Sequence, residues 1–199
     1  MKYRSRGFTL LELMVVLTLA AVILAIATPS FNNFRRNSRL TAVANDYLGS
    51  MQTARSEAIK RQLSVSMCPS DNPDATSPTC STGTFRGWFV FVDQDSDCVL
   101  DTGERVVRIQ SRIDGSASTP IYPVSNGICI SFASSGFRQN VGSKDTASRT
   151  VFCDSRGNTE QDGTEQSTAR GIEVTPTGRA RVTREVGEIA AWSLTCPSS

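Results

Sequence analysis

The N-terminal part of the chain carries an apolar run interrupted by a single acidic residue. Three basic residues precede the run, and between residues 8 and 27 the only charged side chain is Glu12. About twenty helical residues reach about 30 Å, the thickness of a hydrocarbon core. The run therefore predicts a membrane-spanning helix at 8–28, with its basic end in the cytoplasm and the rest of the chain exported.

Glu12 distinguishes this run from an ordinary signal peptide. The alternative has some support, because Ala25-Ile26-Ala27 supplies the small residues of a cleavage site. A carboxylate inside a membrane helix costs about 2.5 to 3.5 kcal/mol on insertion scales, and such residues mark functional positions with a partner. We therefore interpret Glu12 as a functional residue that pairs with a cation.

Cysteine usage gives independent support for export. The chain has six cysteines and no histidine, which disfavours zinc fingers and thiol catalysis and favours disulfides in an oxidising compartment. Cys68 and Cys80 bracket a short polar loop, and Cys153 with Cys196 would fasten the C-terminal strand to the sheet. These two pairs would leave Cys98 with Cys129, a pair that the sequence does not select by itself.

Beyond the apolar run, the sequence keeps a helical period over residues 29–63. The positively charged face of this segment predicts a solvated surface, or alternatively a contact for acidic partners or headgroups. Its residues are Arg35, Arg36, Arg39, Arg55, Lys60 and Arg61. The opposite face has three- and four-residue apolar spacing and is expected to pack on a soluble core. It consists of Leu40, Val43, Ala44, Tyr47, Leu48, Met51, Ala54 and Ala58.

The remainder, residues 64–199, shows short apolar runs and period-two alternation separated by Gly, Pro, Ser and Asp clusters. This pattern predicts antiparallel β-sheet packed on the long helix, an α+β fold with one globular domain. The predicted strands are 64–68, 87–92, 105–109, 128–132, 150–153, 171–175, 179–183 and 189–194.

The N-terminal motif resembles that of a known family. Basic residues, Gly7 and Phe8-Thr9-Leu10-Leu11-Glu12 before an apolar helix resemble the class III signal of type IV pilins and type II secretion pseudopilins. The resemblance implies a leader at 1–7 that a membrane peptidase cleaves between Gly7 and Phe8, followed by N-methylation of Phe8. Glu12 would then neutralise the new ammonium during assembly.

The rest of the chain resembles a subgroup of that family. Residues 48–70, 86–108, 130–137 and 150–157 are similar to the GspH/FimT group of minor pilins and pseudopilins. The resemblance implies a type IV pilin-like fold and a position at or near the pilus tip. Implied partners are other pilins, the prepilin peptidase and the inner membrane, from which the subunit passes to the periplasm and a cell-surface pilus.

Acidic residues from Asp93 to Glu104 are spaced as in a calcium-binding loop, with carboxylates at its first, third, fifth, ninth and twelfth positions. Position six, where such a loop needs glycine, is Cys98, and the flanking segments read as strands rather than helices. Asp side chains also cap their own turns. We therefore predict no metal site, and a calcium-specific rise in melting temperature would contradict this interpretation.

The segment GIEVTPTGRARVTRE predicts a hairpin with two arginines on one face of its second strand. Arg179 and Arg181 would lie about 7 Å apart, with Arg184 at the strand end, and could bind two phosphates of a nucleic acid. The alternative is an edge strand whose charges discourage aggregation. Gly178-Arg179-Ala180-Arg181 resembles the GRxR motif of FimT-type minor pilins, which implies binding of double-stranded DNA during natural transformation.

Two functional hypotheses follow. The first is a minor pilin that binds DNA without sequence preference, with log affinity falling against log salt at a slope of about −2 to −3. The second is a structural minor pilin or type II secretion pseudopilin that primes fibre assembly and binds no DNA. We predict neither an enzyme nor a cofactor, because the chain lacks histidine and shows no positioned base.

Overall fold

The computed structural model describes residues 8–113, 120–142, 146–161 and 163–196, with the backbone alone described at 26–30. The predicted leader, residues 1–7 with Gly7, lies outside the described residues. The chain divides into two compact units, residues 1–38 and residues 39–199.

Helix α1 spans Leu10–Arg61. Thr9 caps its first turn, because the Thr9 hydroxyl accepts a hydrogen bond from the Glu12 amide at 3.2 Å. The helix ends at Arg61, and the next residue, Gln62, adopts a positive φ of 58°.

In the first unit, the side chains from residue 8 to residue 25 are all exposed. Large apolar residues dominate this surface, and Phe8, Leu10 and Leu11 each expose more than two thirds of their area. The sequence predicted a membrane span at 8–28. In the described part of the chain, no helix is both long and apolar enough to cross a membrane.

In the second unit, the predicted apolar face of α1 is confirmed as the centre of the core. Tyr47 is fully buried, and its ring meets Trp88 at 4.9 Å and Phe152 at 5.1 Å between centroids. Its hydroxyl lies 3.1 Å from the Thr150 hydroxyl, which satisfies the buried polar group. Six of the predicted residues are buried, and two are partly buried against the same core: Leu40, Ala44, Tyr47, Met51, Ala54 and Ala58, with Val43 and Leu48.

Within the described residues, the strands form two five-stranded antiparallel sheets. The first has the order β4-β3-β1-β6-β7, and its strands are β1 Val65–Ser70, β3 Gly87–Val92, β4 Val106–Gln110, β6 Ile130–Phe132 and β7 Arg138–Gln139. The second has the order β10-β9-β8-β5-β2, and its strands are β2 Gly83–Thr84, β5 Tyr122–Ser125, β8 Arg149–Cys153, β9 Gln166–Val174 and β10 Ala180–Glu185. The predicted α+β arrangement, a long N-terminal helix followed by antiparallel sheets, is confirmed.

One predicted strand is wrong. Residues 189–194 do not form a strand, because the first three belong to helix α2, Val186–Ala191, and a turn follows them. Ile189 and Trp192 are three residues apart, so a helical turn brings both onto one apolar cluster with Val151 and Ala169. Every other predicted strand overlaps an observed one. Strands β2, β5 and β7 were not predicted.

Three disulfides cross-link the second unit, and two of them start from a strand. Cys68 of β1 pairs with Cys80, and Cys153 of β8 pairs with Cys196, which are the two pairs that the sequence favours. The third joins Cys98 to Cys129. Each stabilises the domain by about 2 to 4 kcal/mol, largely by restricting the unfolded chain.

Candidate nucleic-acid interface

The turn between β9 and β10 holds the predicted DNA-binding motif, and we call residues 175–181 the basic hairpin. The Thr175 amide donates to the Arg179 carbonyl at 2.9 Å, and the Gly178 amide donates to the Thr175 carbonyl at 2.9 Å. The Thr175 hydroxyl also accepts from the Arg179 amide at 3.2 Å. These bonds fix the backbone on both sides of Arg179, so that residue projects from a well-defined turn.

Gly178 is required by both conformation and space. Its φ is +75°, and a Cβ at this position would lie 2.3 Å from the Gly136 carbonyl oxygen. The neighbouring Pro176 carbonyl accepts a hydrogen bond from the Arg138 amide at 3.1 Å. The basic hairpin of the second sheet is therefore held against the edge of the first sheet.

A groove of about 510 Å³ lies between helix α1 and the basic hairpin. Gln52 and Arg55 line it from the helix, and Thr175, Arg179 and Arg181 line it from the hairpin. Among the described residues that line this groove, none is acidic.

Arg179 and Arg181 differ in their environments. Arg179 is exposed, and within the described residues its guanidinium makes neither an ion pair nor a hydrogen bond. Arg181 donates from Nε and Nη2 to Glu173 at 2.9 and 2.8 Å, and from Nη2 to Glu188. Two carboxylates therefore offset the charge of Arg181.

The pKa values of Arg181 and of both its acidic partners depart from their usual values. Hydrogen bonding to Glu173 raises the pKa of Arg181 above its usual value, and the same contact lowers the pKa of Glu173. The Thr183 hydroxyl, followed by Arg181, lowers the pKa of Glu188. Glu188 lies on α2, immediately before the segment wrongly predicted as a strand.

Arg184 does not line the groove with the other two predicted arginines. Its Nη2 donates to the Gln161 side-chain oxygen at 2.8 Å, and its buried Nε has no hydrogen-bond acceptor among the described residues. It approaches Arg170, which is only 3% exposed. Burial, and then the charge of Arg184, lowers the pKa of Arg170 to about 10.

The turn between β3 and β4, which we call the acidic hairpin (residues 93–104), uses its carboxylates internally. Buried Asp93 accepts hydrogen bonds from the Ser66 hydroxyl and from the amides of Asp97 and Cys98 at 3.0 and 3.1 Å. Glu104 accepts from the amides of Gln94 and Asp101 at 2.7 and 3.0 Å. One carboxylate oxygen each from Asp93, Asp95 and Asp97 lies within 4.8 Å of the others. These bonds account for Asp93 and Glu104 as parts of the turn.

The predicted assembly residues lie at the start of α1. Phe8 precedes the helix and is 80% exposed, and Glu12 lies in the first helical turn. The Glu12 backbone amide completes the Thr9 cap, while its side chain makes no ion pair within the described residues. An acid in the first turn also complements the helix dipole.

Arg55 is the groove residue whose position the sequence did not predict. It was assigned to the charged face of the helix, with no link to the basic hairpin. Its Nε would lie 3.4 Å from a Cβ at Gly178 and 3.2 Å from one at Gly136. The spacing within α1 carries no signal for this neighbourhood, because it is created by two loops far away in the chain.

Two family models match this sequence. The model described as "Type II transport protein GspH" matches residues 43–181, which is more than half of the chain. The model described as "Prokaryotic N-terminal methylation motif" matches residues 2–28.

Individual proteins match this chain over a short segment or at low sequence identity. Type IV major fimbrial protein FimA of Dichelobacter nodosus is 39% identical over 54 residues, which is 27% of this chain and 34% of that protein. The alignment thus spans about a third of the curated relative's length. Two crystal structures of the type IV minor pilin FimU of Pseudomonas aeruginosa match with TM-scores of 0.46 and 0.43. They are 16% and 15% identical, covering 77% and 71% of this chain and 94% and 90% of FimU.

Proposed function

The chain belongs to the GspH family of type II transport proteins, and from this premise we propose that it is a minor pilin of a type IV pilus. We infer a position near the pilus tip, where the protein binds double-stranded DNA without sequence preference during uptake in natural transformation. The basic hairpin makes the contact.

The observation that carries the DNA-binding proposal is the state of Arg179. Its guanidinium is exposed, has no partner within the described residues, and extends from a hydrogen-bonded turn. A planar guanidinium held in this way suits bidentate binding of a phosphate. Contacts restricted to phosphates carry no direct sequence information, which accounts for the expected lack of sequence preference.

The N-terminal segment is proposed to enter the inner membrane as a single-pass prepilin. The match to the methylation motif supports cleavage between Gly7 and Phe8, N-methylation of Phe8, and a mature chain that begins at Phe8. Residues 8–28 then form the membrane segment, and residues 64–199 form the exported domain. Glu12 neutralises the Phe8 ammonium of its own or a neighbouring subunit. Mass spectrometry of the assembled subunit tests this, because a mature terminus after Ala27 would contradict it.

The DNA contact is tested with the full chain in non-ionic detergent and a fluorescent duplex of mixed sequence. We expect the double variant Arg179→Gln with Arg181→Gln to bind roughly tenfold more weakly, with a salt slope reduced by about 1 to 2. The matched control, Arg105→Gln with Arg112→Gln, removes the same charge from exposed positions outside the groove. Equal affinities of the two double variants would exclude a role for the hairpin.

A structural role is the second candidate, and the ion pairs of Arg181 favour it. An arginine that is held by Glu173 and Glu188 stabilises the edge of a sheet without any external ligand. In this case the protein is a minor pilin or type II secretion pseudopilin that primes fibre assembly. Equal DNA affinities in the experiment above would leave this role as the better account.

A further inference from the structure

We propose that Arg55 of helix α1 and Arg179 of the basic hairpin form a two-sided site for the phosphodiester backbone, with successive phosphates of one strand at opposite rims of the groove. This inference rests on the proposed DNA-binding function. It assigns the second phosphate contact to Arg55 rather than to Arg181.

The charges of the groove are unbalanced. Three arginines line it, and among its described lining residues there is no acid. Arg181 is already held by Glu173 and Glu188, so the uncompensated charge comes from Arg55 and Arg179. Gln52 and Thr175 add neutral hydrogen-bonding groups. This lining fits a polyanion that presents oxygen acceptors.

Arg55 has no acceptor among the residues that the structure describes. It makes no ion pair or hydrogen bond within the described residues, and its Nε is buried without a partner. Buried guanidinium nitrogens are nearly always paired, because an unpaired one loses its interactions with water and gains nothing in return. The side chain as a whole is only half-buried, which leaves the outer part of the guanidinium accessible to a phosphate oxygen.

The two sides of the site are held in a fixed arrangement. Gly178 approaches the Gly136 carbonyl so closely that no Cβ fits, and Arg55 lies against both glycines. The hydrogen bond from Arg138 to Pro176 adds a second link between the hairpin and the first sheet. A ligand therefore meets positioned cations and does not have to order a loop, which lowers the entropic cost of binding. The volume of about 510 Å³ is many times that of a water molecule, about 30 Å³.

The decisive variant is Arg55→Met, which keeps an aliphatic stem and removes the charge. We expect roughly fivefold weaker binding of the fluorescent duplex by the full chain in detergent, and a salt slope lower by about 1. Arg55→Lys restores the charge and should recover most of the slope. Arg105→Met is the control for loss of one exposed charge outside the groove.

A second pair of variants avoids any effect of Arg55 on folding. Gln52→Glu introduces an acid into the groove, and Ser56→Glu introduces the same charge at an exposed helix position that does not line it. We expect only Gln52→Glu to weaken DNA binding. The inference is overturned if Gln52→Glu and Ser56→Glu bind alike, or if a folded Arg55→Met variant binds like Arg105→Met. In either case, weaker DNA binding by Arg179→Gln would still support the proposed function. Unchanged DNA binding in every variant would contradict both the proposed function and the inference about Arg55.

Discussion

The acidic hairpin and the basic hairpin both concentrate charge at the end of a two-stranded ladder, but they use that charge in different ways. In the acidic hairpin, Asp93 and Glu104 accept hydrogen bonds from the turn that contains them. In the basic hairpin, the Thr175 hydroxyl organises the backbone and Arg179 is left without a partner within the described residues. A run of like charges therefore indicates a binding site only when its charged groups are not already used by the fold.

The largest expected effect concerns Asp93, which is completely buried. Asp93→Ala removes the acceptor of the Asp97 and Cys98 amides and of the Ser66 hydroxyl, for which the Ser131 hydroxyl at 3.0 Å is the remaining partner. We expect a loss of about 3 kcal/mol in the free energy of unfolding, because the two amides lose their acceptor at a buried position. Chemical denaturation measures this. The control is exposed Asp101→Ala, and equal stability of the two variants would show that the acidic hairpin does not depend on its carboxylates.

Gly178→Ala tests whether the backbone of the basic hairpin is as constrained as its geometry indicates. We expect the free energy of unfolding to fall by about 2 kcal/mol, because alanine disfavours the positive φ and its Cβ would collide with Gly136. Gly157→Ala is the matched control, because Gly157 has a similar φ of +69° and open space around it. The difference in stability loss between Gly178→Ala and Gly157→Ala therefore measures the effect of the close approach of Gly178 to Gly136. A destabilisation no larger than that of Gly157→Ala would mean that the two loops separate readily.

The two arginines of the motif should respond unequally when they are changed one at a time. We expect Arg179→Gln to weaken duplex binding roughly fivefold and Arg181→Gln to weaken it less than about twofold, because Glu173 and Glu188 already hold Arg181. Fluorescence anisotropy at several salt concentrations measures both affinities. A larger effect from Arg181→Gln would show that its ion pairs open when DNA binds.

The smallest expected effect is on the acid dependence of stability, which should have one sign for the two acids that hold Arg181 and the opposite sign for Glu104 of the acidic hairpin. The pKa values of Glu173 and Glu188 are lowered, so their contribution is present above the ordinary glutamate pKa of about 4.3 and is lost as pH falls through the lowered values. Burial raises the pKa of Glu104, so its contribution becomes more favourable as pH falls through the raised value. Both effects are small, since these groups are partly exposed to solvent.

Melting temperatures measured from neutral pH into the acid range separate the two contributions. A variant with Glu173→Gln and Glu188→Gln should be less stable at neutral pH and should lose less on acidification than the parent. Glu104→Gln should lose more than the parent, since it lacks the compensating protonation. Parallel curves of melting temperature against pH for the parent and both variants would show that these glutamates do not differ in their contribution to stability.

Periodic patterns predicted the parts of the fold that depend on one element at a time. The three- and four-residue spacing from Leu40 to Ala58 identified the buried face of α1, and alternation identified the strands that overlap β1, β3 and β10. Strand β5 was missed because it contains Pro123, a residue that cannot donate to a ladder and usually marks a break. Pro123 lies opposite Phe152 of β8 in the register.

The errors concern features that depend on distant neighbours. The short apolar run at 189–194 does not by itself distinguish a strand from a helical turn. The helical turn allows Trp192 to pack against Gly171, where an added Cβ would lie 2.7 Å from the indole ring. The same helix brings Glu188 to Arg181. Arg55 joins the groove only because Gly136 and Gly178 meet in the folded protein. The GRxR motif thus located the candidate site in the sequence. The residues that contact its arginines could be identified only from the tertiary structure.

The contact between Gly136 and Gly178 also constrains how this domain can diverge. A Cβ at Gly178 would lie 2.3 Å from the Gly136 carbonyl oxygen, a Cβ at Gly136 would lie 2.7 Å from the Ile59 side chain, and the two glycines lie in turns of different sheets. An insertion or a bulkier residue in one loop would need a compensating change in the other. Homologous sequences should therefore show covariation between these two loops, and the helix position equivalent to Arg55 should vary with them.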